Sequence, residues 1–140
     1  MECPMVLNQA TDYALRMLLY LAKQDNSNIT DAATISTEEK IPKRFFFKIT
    51  RELTRIGIVK SVRGKNGGFK LARKPEEITL YDIIEAAEEP IAVSKCLQDS
   101  RKCNKDATAH CIVRKKLGKL RNELNHKLQE INLKMLVEGA

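Results

Sequence analysis

No apolar run of about 18 residues occurs in this 140-residue chain, so the sequence predicts no membrane-spanning helix. Its first residues lack a basic region followed by an apolar one, and no secretory signal is expected. Both absences point to the cytoplasm, where thiols stay reduced and cysteines act as ligands or sensors more than as structural disulfides. No internal repeat and no low-complexity segment is found. No cluster of carboxylates or histidines accompanies the cysteines, which argues against a metal-dependent hydrolase, and no enzyme activity is expected. Acidic residues are scarce in one place above all. Residues 41–74 contain a single one, Glu52.

That scarcity locates the chain's charge. Residues 41–74 carry eleven basic side chains against Glu52, a net of +10. Residues 1–40 carry three basic and six acidic side chains, and residues 75–140 carry eleven of each. The whole excess of +7 therefore sits in one block, which is an electrostatic footprint for a polyanion rather than an evenly solvated surface. An apolar fraction of 43% supports one domain with a modest core, or one domain with a helical appendage.

Helical spacing of Ala10, Ala14, Met17, Leu18, Leu21 and Ala22 predicts a helix over Thr11–Lys23, capped by Asn8 or Thr11. A polar turn follows, then a short helix over Asp31–Lys40 with Ala32, Ala33 and Ile35 inward. Pro42 opens a third helix, to about Ile56, with two faces. Phe46, Ile49, Leu53 and Ile56 form an apolar stripe; Arg44, Lys48, Arg51 and Arg55 form a cationic one. Gly57 ends this helix. Two short strands, Ile58–Arg63 and Phe69–Arg73, flank a tip at Gly64–Gly68. Thr79 and Asp82 mark a start resembling a capping box, although Glu or Gln is usual at the last position, and Pro90 closes the fourth helix.

A loop with three cysteines comes next: Cys96, Cys103 and Cys111. The residues between them offer almost nothing to bury, so something else must order the loop, and thiolates at this spacing suggest a metal or a cluster. From about Ala107 a long helix is expected, with Val113, Leu117, Leu120, Leu124, Leu128 and Ile131 in one narrow stripe. Such a stripe is the seam of a helix pair, which predicts a homodimer. Leu133, Met135, Leu136 and Val137 form an apolar tail expected to clasp the partner.

Three helices and a hairpin, in this order, predict a mainly α fold with a small β-hairpin: a winged helix-turn-helix with a long C-terminal dimerisation helix. The divisions expected are residues 5–90 for the DNA-binding domain, 91–107 for the cysteine loop, and 108–140 for the dimerisation helix and tail. The third helix would be the recognition helix, with Lys43, Arg44, Phe47 and Lys48 placed to meet base edges in the major groove. Arg can bond guanine bidentately, and Phe47 can touch a thymine methyl. Arg51 and Arg55 would hold phosphates. At the wing, Arg63, Lys65 and Asn66 would approach a minor groove. A dimer would read a palindromic operator on double-stranded DNA.

The sequence resembles the Rrf2 family of bacterial winged-helix regulators, which includes IscR, NsrR and RirA. The likeness is carried by Thr11-Asp12-Tyr13-Ala14-Leu15-Arg16, Gly57-Ile58-Val59, Ser61-Val62-Arg63-Gly64, Asn66-Gly67-Gly68, Ile83-Ile84-Glu85-Ala86 and the three cysteines. It implies a homodimeric transcription factor, usually a repressor, with an iron–sulfur cluster (4Fe-4S or 2Fe-2S) that senses iron status, redox stress or nitric oxide. Clusters normally take four protein ligands. In members like IscR the fourth is a His three residues after the third cysteine; here that position is Arg114, which cannot ligate. In members like NsrR it is an Asp of the other subunit, matching Asp12 here. Asp12 could equally be a first-turn carboxylate that suits the helix dipole. His110 is an alternative fourth ligand, and with it the set would also suit zinc as Cys₃His. The gaps between cysteines are longer than is common in the family, which leaves the cluster type open. A thiol redox switch and an iron–sulfur electron carrier are further readings, the second opposed by the basic block. Cys3 is read as a bystander and His126 as a surface residue.

Overall fold

The computed structural model describes residues 9–24, 28–87 and 111–139. Helix α1 (Gln9–Lys23) buries Tyr13, Ala14, Met17, Leu18 and Leu21. It starts two residues earlier than the spacing suggested, so Thr11 is not a cap but a fully buried residue of the first turn. Asn8 and Pro90 lie outside the described residues.

Helix α2 (Ala32–Glu38) is capped by Asp31, whose carboxylate accepts from the Thr34 N–H at 3.0 Å and the Thr34 hydroxyl at 2.6 Å. The Thr34 hydroxyl and N–H hold the Asp31 carboxyl below the usual carboxylate range. This cap is intact at neutral pH and is lost as pH falls through that lowered pKa. Ile35 is buried as expected, Ala32 is half-buried, and Ala33 faces solvent because seven residues give only two turns of contact. The helix ends with Lys40 at φ 55°, while Ile41 N–H bonds the Ser36 carbonyl at 2.9 Å and Lys40 N–H bonds that of Thr37 at 3.4 Å. This is the double-bonded stop that usually takes glycine.

Helix α3 (Lys43–Arg55) buries Phe46, Ile49 and Leu53, along with Thr50. The same stop recurs at its end with its expected residue: Gly57 stands at φ 82°, and Ile58 N–H reaches the Leu53 carbonyl at 3.0 Å. Strands β1 (Val59–Val62) and β2 (Gly68–Leu71) pair antiparallel with Val59 opposite Leu71 and Val62 opposite Gly68. A 3₁₀ turn (Pro75–Glu77) leads to α4 (Leu80–Ala87). Thr79 and Asp82 do form a reciprocal box: each backbone N–H donates to the other's side chain at 3.2 Å. Aspartate suffices where Glu or Gln is usual.

The long helix is α5 (Ile112–Glu130), and it begins later than the apolar count implied. Cys111 has extended backbone (ψ 114°) and caps it. A last helix, α6 (Leu133–Glu138), is capped by Asn132. Of the tail expected to clasp a partner, Leu133 packs into its own chain while Met135 is exposed. Leu133 is fully buried in its own chain's core beside the α1 and α4 residues. Two backbone bonds tie it there, Leu133 N–H to the Ile78 carbonyl at 2.8 Å and Leu80 N–H to the Ile131 carbonyl at 2.9 Å. Leu133 reaches the core because the chain turns back at Ile131 and Asn132. No helix among the described residues is long and apolar enough to cross a membrane.

Candidate nucleic-acid interface and cysteine site

Burying Phe46, Ile49 and Leu53 turns the opposite side of α3 outward, and Lys43, Arg44, Phe47, Lys48, Arg51 and Arg55 are all exposed there. Among the described residues Glu52 pairs with Arg55, at 2.9 Å. Among the described residues Lys43, Lys48 and Arg51 have no ion-pair partner. Lys43 and Arg44 stand in the first turn, against the helix dipole, and Pro42 supplies no side-chain cap. Positive charge at a helix N-terminus lowers stability in isolation, so this arrangement suits a face that meets an anion. Phe47 is 54% exposed, although its ring rests edge-on against Phe46 at 5.8 Å. Phe46 in turn stacks edge-on with Phe69 of the wing, at 5.6 Å.

The wing carries Arg63, Lys65 and Asn66, all exposed around the tip. Gly64 at φ 119° and the bond from Gly67 N–H to the Gly64 carbonyl (3.0 Å) shape that turn. One connection was not legible in the sequence. Thr30, between α1 and α2, exchanges two backbone bonds with Phe69, at 3.1 and 2.8 Å. A Cβ on Gly68 would collide with the Thr30 carbonyl. The glycine pair therefore serves a close backbone approach as well as the tip.

Asp12 lies in the first turn of α1, with its side chain 55% exposed and 2.8 Å from Arg16. Arg16 also donates to the backbone carbonyl of Glu39 at 3.3 Å, in the stop that joins α2 to α3, and lies 5.3 Å over the Tyr13 ring. Tyr13 meets Phe45 at 5.3 Å, and Arg44 covers Phe45 at 5.1 Å. Arg16 thus links Asp12 to the turn of the helix-turn-helix. The sequence holds only a faint trace of this role, the four-residue spacing of Asp12 and Arg16.

Cys111 is half-buried, and its Sγ accepts the Arg114 N–H at 3.4 Å. Cys96, Cys103, His110 and Cys3 lie outside the described residues, and no group of three or more metal-ligating side chains occurs within them. The surroundings of Cys111 nonetheless fit an anionic sulfur centre. Its sulfur acts as an acceptor at a helix N-terminus, and Arg114, Lys115 and Lys116 follow after Ile112 and Val113, with no acid in the first turn. The helix it caps has no fully buried residue, and Ile112, Val113, Leu120 and Leu124 are 40–64% exposed. Leu117 and Leu128 are half-buried. His126 is exposed, as expected.

A family profile described as Rrf2, iron-dependent transcriptional regulator, matches residues 7–139. The chain belongs to the Rrf2 family. It is accordingly a DNA-binding transcriptional regulator and not an enzyme. A relative from Aquifex aeolicus, described as an HTH-type transcriptional regulator, is 34% identical over 133 residues, covering 95% of this chain and 92% of its own length. NsrR of Bacillus licheniformis is 31% identical over 124 residues, covering 89% of this chain and 81% of its own. Among solved structures, CymR of B. subtilis, titled the global cysteine regulator, superposes with a TM-score of 0.75 over 97% of this chain and 98% of its own, at 24% identity. That likeness bears on the fold, and it agrees with the winged helix-turn-helix described above.

Proposed function

We propose that this Rrf2-family regulator is a homodimeric repressor whose affinity for a palindromic operator is governed by an iron–sulfur cluster. Cys96, Cys103 and Cys111 of one copy and Asp12 of the second copy would hold the cluster, and Lys43, Arg44, Phe47 and Lys48 would read bases. Arg51, Arg55, Arg63, Lys65 and Asn66 would hold the DNA backbone and minor groove. One observation carries the reading. Cys111 caps the helix on which Val113, Leu120 and Leu124 stay exposed among the described residues, so the thiol site and the proposed dimer seam share one element. The exposure of Asp12 on α1 supports its reach to a second copy. When bound, the cluster supplies sensitivity to iron shortage, oxidants or nitric oxide.

The chain's own residues suggest how that state reaches DNA. Among the described residues Asp12 pairs with Arg16, and Arg16 holds the Glu39 carbonyl of the turn before α3. If Asp12 turns to a second copy, Arg16 loses its carboxylate. Its grip on the turn then changes, and with it the tilt of the recognition helix. Cys111 at the same time fixes the start of α5.

Anaerobic protein should contain iron and sulfide and absorb broadly in the visible. Asp12→Ala should lower cluster content or stability and change operator affinity, read by gel-shift titration of cluster-loaded and cluster-free protein. Equal affinities for the two forms would overturn the control mechanism. Colourless protein with stoichiometric zinc would replace the cluster by a Cys₃His site.

A further inference from the structure

Strand register sets two lysines against each other. In the wing, Lys60 of β1 lies directly opposite Lys70 of β2. Side chains alternate between the faces of a hairpin. Val59, opposite Leu71, is 1% exposed and turns to the core, and Phe69 turns the same way against Phe46. Lys60 and Lys70 therefore share the outer face. Like charges in directly opposed positions destabilise a strand pair. Neither lysine has an ion-pair partner among the described residues to offset this. Lys60 is exposed and Lys70 half-buried. The hairpin itself gains nothing from this pairing.

We propose that Lys60 and Lys70 form a phosphate clamp, a cross-strand pair that holds the DNA backbone alongside the wing tip. Charge points to the occupant. Arg63 and Lys65 follow Lys60 along the same hairpin, and the sequence block that holds them, residues 41–74, contains no acid but Glu52. A phosphate between two opposed ammonium groups turns their mutual repulsion into shared attraction. Bound DNA would thus stabilise the hairpin that free protein leaves strained by charge. Because the ligand is backbone, the clamp adds affinity and register without sequence preference. The inference rests on the DNA-binding role of the chain and extends the contact surface beyond the wing tip.

The test uses full-length protein and a labelled mixed-sequence DNA duplex, titrated at several salt concentrations. Lys60→Gln and Lys70→Gln should each reduce the slope of log affinity against log salt by about 0.9, and lower affinity about fivefold near physiological salt. Lys119→Gln on α5 should keep the wild-type slope. The thermal midpoint of free protein should rise or hold steady in both wing variants, since a repulsion is removed. That opposition of tighter folding and weaker binding is the signature of the clamp. Lys60→Arg should keep the wild-type slope. Wild-type slopes in both glutamine variants, with a reduced slope in Arg51→Gln, would overturn the clamp and leave the recognition helix as the phosphate-binding surface. A fall in thermal midpoint together with unchanged salt slope would overturn it too, by showing that the lysines act in folding alone.

Discussion

Helices α3 and α5 carry apolar stripes that look alike in sequence and meet opposite fates. In α3, Phe46, Ile49 and Leu53 are 1–4% exposed, covered by α1, α4 and the wing. In α5, Val113, Leu120 and Leu124 are 40–60% exposed. Each stripe is amphipathic, and each opposite face is rich in cations. Periodicity says that a face is meant to be covered; it does not say by what. Among the described residues the α3 stripe is covered, while Val113, Leu120 and Leu124 of α5 stay exposed, and that is the face on which we propose a second copy docks.

Mutations at the two stripes separate these fates. Phe46→Ala should produce the largest effect, a loss of about 3–5 kcal/mol of unfolding free energy by denaturant titration, because a fully buried ring is removed. The loss should be independent of protein concentration in its intrinsic part. Leu120→Asp with Leu124→Asp should leave the far-ultraviolet circular dichroism of the winged-helix module intact but halve the mass seen by sedimentation velocity. Each leucine buried at a seam contributes about 1.5–3 kcal/mol, so association should weaken at least tenfold per side chain. It should also abolish any rise of the melting midpoint with protein concentration. An unchanged mass would place the seam elsewhere.

Two smaller substitutions sharpen the contrast inside the winged-helix module. Gly68→Ala should cost about 1–3 kcal/mol, because the added methyl meets the Thr30 backbone rather than open space. Hydrogen exchange should then show faster opening of Thr30 and Phe69, while α5 amides stay as they were. Lys40→Gly should raise stability by about 0.5–1 kcal/mol in thermal unfolding, since Lys40 holds a left-handed conformation that glycine adopts freely. If this variant destabilised the protein, the Lys40 side chain would have to make a contact that outweighs the backbone strain.

Much of the fold was legible from residue pattern alone. The helices α1 to α4, the hairpin, the Gly57 stop and the cap at Thr79 follow from local rules acting over three or four residues. Local rules also placed the cations of α3 outward, since burying Phe46, Ile49 and Leu53 leaves them no other side. Errors came where a partner lay far along the chain. Thr11 looked like a cap because Ser and Thr favour that place, yet it is buried within α1. The docking of Leu133 on the backbone around Ile78 was not legible, because nothing in residues 131–139 names that partner. The link from Arg16 to the turn was not legible because its acceptor is a carbonyl 23 residues away, and a backbone carbonyl leaves no mark in a sequence. Of the cysteine site, the residue types and spacing were readable, and the capping role of Cys111 was not.

By itself, then, the sequence determined which residues turn in and which turn out, because amphipathic period and cap chemistry are local free energies. It also determined where the positive charge would gather. The tertiary structure alone decided which apolar face is covered within the chain, how Thr30 closes on the wing, and that Arg16 joins the first turn of α1 to the turn before α3. It also set Lys60 against Lys70. Those are pairings between distant segments, and they depend on the chain's path through space, which a one-dimensional pattern does not encode.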